Sequence, residues 1–138
     1  EIYSYGKSSS LNKILFYLSG PLINLILAII FFYLKTDINL KEEIIYTNIA
    51  ICFFNLLPIL PLDGGKILKE IFNILFKSEK ANEIIIVFSK VFLGIISLIY
   101  SILIIKVKNI YILTLLIYLW YLFLIEENKY SILKKTRE

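Results

Sequence analysis

The stretch "NLLPILPLDGGKIL", Asn55 to Leu68, interrupts a strongly apolar chain with two prolines, an aspartate and a glycine pair. Pro58 and Pro61 lack backbone N–H donors and disfavour helix in the residues before them, so a helix arriving here must end near Leu57. Gly64 and Gly65 permit backbone approaches that other residues resist. Asp63 is left at the break, and a carboxylate at the end of a membrane-length segment is costly unless it is hydrated, paired or bound to a cation. Two readings follow. Asp63 is a functional residue, or it caps the next helix by accepting backbone N–H bonds.

The surrounding composition makes the break unusual. Of 138 residues, 59% are hydrophobic and only 19% charged, which is membrane-protein usage. The apolar residues fall into blocks about twenty long, roughly what a helix needs to cross a hydrocarbon core about 30 Å thick. The expected fold is a single all-α integral-membrane domain with about four transmembrane helices, at 11–34, 44–57, 84–105 and 110–125. The stretch "KILKEIFNILFK", 66–77, spaces Ile67, Leu68, Ile71, Ile74 and Leu75 as an amphipathic helix does and is expected at the interface. Residues 1–10, "EIYSYGKSSS", read as a leader or short strand, and 126–138 as a polar tail.

Backbone that is neither helix nor strand survives at membrane depth only where protein or a water-filled cavity covers it, so the proline segment is expected to be covered in one of these ways. The net charge of +4 does not point to nucleic acid, because the lysines sit at the ends of apolar blocks and not along one polar face. Their asymmetry orients the chain. Ten basic residues (Lys7, Lys13, Lys66, Lys69, Lys77, Lys80, Lys129, Lys134, Lys135 and Arg137) fall on one side, against Lys35, Lys41, Lys106 and Lys108 on the other. The richer side, with Asp63 and the C-terminus, is expected to be cytoplasmic. Lys90 is expected to snorkel to that interface. The lone Cys52 reads as a small buried hydrophobe. The first apolar block does not read as a cleaved secretory signal.

One more cluster stands out. Ser19-Gly20-Pro21 and Asn24 lie within the first apolar block, where small and polar residues mean close helix packing or a site.

Together the two stretches resemble a known family. Asn55-Leu56-Leu57-Pro58-Ile59-Leu60-Pro61-Leu62-Asp63-Gly64-Gly65 is similar to the N-x-x-P-x-x-x-L-D-G-G signature of the site-2 proteases, peptidase family M50. Ser19-Gly20-Pro21-Leu22-Ile23-Asn24 is similar to that family's small-residue-G-P-x-x-N motif on the preceding helix. The resemblance implies an intramembrane zinc metalloendopeptidase in which Asp63 is a zinc ligand. Asn55, Pro58, Pro61, Gly64 and Gly65 would shape the cleft, and Asn24 would face it and contact substrate backbone. It also implies a membrane-spanning protein substrate, a membrane regulatory protein and the lipid bilayer as partners, and a bacterial cell membrane as the location. The N-terminal residues occupy the place of the family's short strand, which could pair with an extended substrate segment, although the paired glycines expected there are missing.

The family's zinc takes two histidines from an H-E-x-x-H helix, whose glutamate accepts a proton from the attacking water. This sequence has no histidine. The expectation is that the H-E-x-x-H helix precedes Glu1 in a longer parent and that the given chain is inactive alone. The alternative is a catalytically inactive membrane protein that binds a transmembrane partner in the same cleft. A third reading, an unrelated four-helix membrane scaffold, predicts that Asp63 and Asn24 point away from one another.

Overall fold

The computed structural model describes residues 9–34, 40–76, 78–107 and 110–136, and all its regular structure among them is helical. The N-terminal strand expectation falls on residues outside this set. Helix α1, Ser10–Tyr33, runs through Pro21 without ending. Helix α2 is Lys41–Asn55, α3 is Asp63–Leu75, α4 is Ser78–Val107 and α5 is Ile110–Lys135.

Among the described residues, three helices are long and apolar enough to cross a membrane: Ser10–Tyr33, the Glu79–Ile102 part of α4 and the Tyr111–Lys135 part of α5. Most of their apolar side chains face outward, with Phe16, Ile102 and Leu98 each about two-thirds exposed or more. In water such surface would drive aggregation, whereas in lipid it is the expected exterior. The chain is therefore a membrane protein. Helix α2, expected as a fourth span, has 15 residues. At about 1.5 Å per residue that is roughly 22 Å, short of a hydrocarbon core about 30 Å thick.

Helix ends depart from the apolar blocks where polar groups find partners. Helix α5 continues beyond Ile125 into the stretch expected as a tail. There Glu127 pairs with Lys90 at 3.2 Å and Lys134 pairs with Glu83 at 2.9 Å, both across to α4. Lys90 thus makes an ion pair that is exposed and not buried. Lower down, α4 and α5 meet through Leu93, Leu119 and Phe123, and Trp120 donates its indole N–H to Ser97 Oγ at 3.0 Å. Helix α1 packs against α2 and α3, and α3 packs against α4. Helix α3 and the proline segment are therefore what join the α1–α2 pair to the α4–α5 pair.

Candidate functional site

Pro58 and Pro61 cannot continue the α2 ladder, and the chain between Leu56 and Leu62 folds into tight turns. Leu57 N–H donates to the Phe54 carbonyl at 3.1 Å, Ile59 N–H to Leu57 at 2.8 Å and Leu62 N–H to Ile59 at 2.8 Å. The Leu60–Pro61 peptide is cis. Two anchors hold this loop to α4 and α5. Ile59 is fully buried in the core with Leu93, Leu119 and Phe123. Leu60 N–H donates to the Oγ of Ser89, a wholly buried side chain on α4, at 3.1 Å.

The glycine pair is dictated by the same loop. A Cβ at Gly64 would fall onto the Leu56 carbonyl and within 2.6 Å of the Leu57 oxygen. A Cβ at Gly65 would lie 2.5 Å from the Ile59 oxygen and 2.6 Å from Leu60 N. Only hydrogen fits at either position, so the loop backbone lies directly on the first turn of α3.

That packing places Asp63 as the first residue of α3. Leu62, not Asp63, is the N-cap, and no side-chain capping bond is present, so the capping reading of Asp63 does not describe the structure. The carboxylate still gains from the helix N-terminus, where the backbone N–H groups favour negative charge. Its side chain is 28% exposed, and its Oδ1 lies 3.6 Å from Lys66 Nζ, one turn along. Lys66 Nζ in turn sits 5.5 Å from the Tyr17 ring centroid on α1.

Gly20 explains how α1 comes so close. A Cβ built there would be 3.2 Å from Asp63 Oδ2. The small-residue motif of α1 and the aspartate motif of α3 thus meet, the glycine of one facing the carboxylate of the other. Pro21 and Ala28 are buried and Asn24 half-buried, so Asn24 lies one turn beyond Gly20 along the inward stripe of α1. Asn55 ends α2 half-buried, as Pro58 and Pro61 are in the loop. Among the described residues, neither Asn24 nor Asn55 hydrogen-bonds to Asp63. The motifs converge on one region, but the asparagines do not ligate or orient the carboxylate directly.

A second carboxylate lies nearby and departs from the amphipathic reading of α3. Glu70 is buried, and its Oε1 accepts from Lys13 Nζ of α1 at 3.3 Å. Burial pushes its pKa up, but the neighbouring Ser10 and Asn73 side chains and the Lys13 charge outweigh that and hold it below the ordinary value. Beside Glu70 is a cavity of about 160 Å³ lined by Tyr17, Leu60, Pro61, Lys66, Lys69, Glu70 and Glu126. It is polar and partly enclosed, next to the turn that carries Asp63.

Catalytic zinc needs three protein ligands. The chain has no histidine, and no group of three or more His, Cys, Asp or Glu side chains able to hold a metal occurs among the described residues. The residues present do not fit a zinc ion without further ligands.

Sequence reasoning located Asp63, the glycines and the prolines but missed Ser89, the inward Glu70 and the facing of Gly20 on Asp63. Ser89 did leave a trace, a hydroxyl inside an apolar run, where buried polar groups need partners.

Residues 38–99, which take in α2, the proline loop, α3 and α4 as far as Ile99, match the model of peptidase family M50. The match covers the Asn55–Gly65 motif and stops short of the Ser19–Asn24 motif. No curated protein and no solved structure matches the chain.

Proposed function

We propose that this chain carries the aspartate half of the active site of a site-2-type intramembrane metalloendopeptidase, which hydrolyses peptide bonds of membrane-spanning protein substrates. The observation that carries the reading is the contact of Gly20 with Asp63. The family match covers only the Asp63 motif, so the arrival of the Gly-Pro-x-x-Asn motif on that carboxylate is independent support.

In this reading Asp63 is a zinc ligand, held in place by the loop, Gly64 and Gly65. Zinc would supply Lewis-acid activation of water, and its histidine ligands and the general base would come from an H-E-x-x-H helix outside the given residues. The chain's own residues set the carboxylate at the membrane boundary and keep it hydrated beside the polar cavity. Lys66 balances its charge in the absence of metal. Asn24 and Asn55 line the approach of the substrate. A membrane regulatory protein and cytoplasmic placement of the Asp63 side belong to the same proposal. The lysine- and isoleucine-rich style fits the branch typified by stage IV sporulation protein FB.

A second reading is a catalytically inactive membrane protein that holds a transmembrane partner in the same cleft. The coding sequence upstream of residue 1 separates the two. An in-frame H-E-x-x-H within about one spanning length supports the protease, and a start codon close to residue 1 with no such motif overturns it.

A further inference from the structure

Helix α1 divides at Pro21. Among its described residues only Pro21 and Ala28 are buried, so the segment before the proline, Ser10 to Gly20, has no buried residue. The Ile59, Leu93, Leu119 and Phe123 core and the side chains packed on it come from α2, the loop, α4 and α5, and none of them from α1. What holds the segment is an antiparallel seam on α3 made of polar and small groups. Gly20 lies against Asp63, the Tyr17 ring against Lys66 Nζ, and Lys13 Nζ on Glu70 Oε1 at 3.3 Å, with Ser10 and Asn73 beside that carboxylate. Positions 13, 17 and 20 of α1 thus meet 70, 66 and 63 of α3 in one register, a single stripe on each helix. Pro21 has no N–H to offer the preceding turn, so the hydrogen-bond ladder of α1 lacks a rung where the seam ends, and prolines inside helices are where helices bend.

We propose that Ser10 to Gly20 is a hinged flap that pivots at Pro21, is latched by the Lys13–Glu70 pair, and opens the approach to Asp63. The pair is the seam's strongest contact. Its carboxylate side chain is only 7% exposed, so the charge-assisted hydrogen bond is worth more than a surface ion pair. It also lies far from the pivot: eight residues of helix put Lys13 roughly 12 Å from Pro21. A bend of about 20° at the proline carries Lys13 roughly 4 Å and breaks the pair, while Gly20, next to the pivot, hardly moves. The opening is therefore a wedge with Asp63 at its apex. The 160 Å³ cavity, which Tyr17, Lys66 and Glu70 line, becomes continuous with it. That the wedge admits an extended segment of a membrane-spanning substrate rests on the protease reading above; the motion itself does not.

The test is electron-electron distance measurement on the full chain in lipid nanodiscs, with the buried Cys52 replaced by alanine and spin labels at exposed positions. Labels at Asn12 and Lys80 follow the flap against α4, and labels at Ile30 and Ile99 follow the rest of α1 against the same helix. Glu70→Gln should raise the population displaced by roughly 5 Å at the first pair about tenfold and leave the second pair unchanged. Lys13→Gln breaks the latch from its half-exposed side and should do the same, so a failure of Glu70→Gln to fold does not remove the test. Exchanging the charges, Lys13→Glu with Glu70→Lys, should restore the closed distance. Pro21→Ala, which returns the missing N–H, should keep the flap closed in the Glu70→Gln background. An unchanged distance at the first pair in both single variants, an equal shift of both pairs, or opening that persists with Pro21→Ala would overturn the proposal. None of these readouts depends on zinc or cleavage, so the flap can fail while the protease reading stands.

Discussion

Replacing Ser89 by alanine should loosen the loop that positions Asp63 while leaving the helices in place. Ser89 is wholly buried, and its Oγ is the acceptor for the Leu60 N–H at 3.1 Å. Leu60 itself is 6% exposed, so water cannot readily replace the lost oxygen. Leaving a buried N–H without a partner costs about 1–3 kcal/mol, more than the net worth of an ordinary hydrogen bond because the whole desolvation cost of the donor remains. That corresponds to roughly 5- to 150-fold in the local opening equilibrium. Amide exchange at Leu60, followed by mass spectrometry in mixed micelles, should accelerate within that range, and equilibrium unfolding in the same micelles should shift by about 1–3 kcal/mol. Ser101→Ala is the control, because Ser101 is exposed and its hydroxyl donates to the Leu98 carbonyl of its own helix. It should change neither readout. If Leu60 exchanges at the wild-type rate in Ser89→Ala and the unfolding midpoint does not move, the loop is not anchored through that hydroxyl and the reasoning fails.

Two further predictions concern the surroundings of the carboxylate. Alanine at Gly64 or Gly65 places a methyl group on loop backbone and should cost about 1–3 kcal/mol or abolish folding. At Gly94, which has open space around it, alanine should be neutral or stabilising by up to about 1 kcal/mol; thermal unfolding in detergent would rank the three. The Lys13–Glu70 pair should make stability pH-dependent at the acid end. Because the folded pKa of Glu70 lies below the ordinary value of 4.5, its contribution is complete above that value and is lost as pH falls through the lowered folded pKa. Glu70→Gln should flatten this acid limb in a pH series of unfolding midpoints, and an unchanged limb would show that other carboxylates set it.

The parts of the fold that could be read from sequence are those with local signals. Pro58 and Pro61 end α2 because of what a proline lacks, and the apolar blocks announce α1, α4 and α5 by length. Asp63 stands out because a carboxylate at such a break needs a reason. The partners across the fold left no local signal. Glu70 looks like a member of the polar face of α3 until Lys13 and Ser10 of α1 are brought over it. The helical continuation of α5 to Lys135 depends on Glu83 and Lys90 of another helix. Gly20 reads as a packing residue, and only the fold shows that it faces the Asp63 carboxylate. The asparagines show the limit in the other direction. Asn24 and Asn55 are legible as a motif, yet among the described residues neither hydrogen-bonds to Asp63.

The central claim is that Asp63, with α1 closed over it, is one ligand of a zinc site completed by an H-E-x-x-H helix. The most direct measurement is zinc content together with substrate cleavage for wild type and Asp63→Asn, in a membrane-embedded chain that includes such a helix ahead of residue 1. The claim predicts zinc bound by the wild type, and lower zinc occupancy with loss of cleavage in Asp63→Asn, while helical content and the unfolding midpoint stay close to wild type. Full zinc occupancy with undiminished cleavage in Asp63→Asn would contradict it.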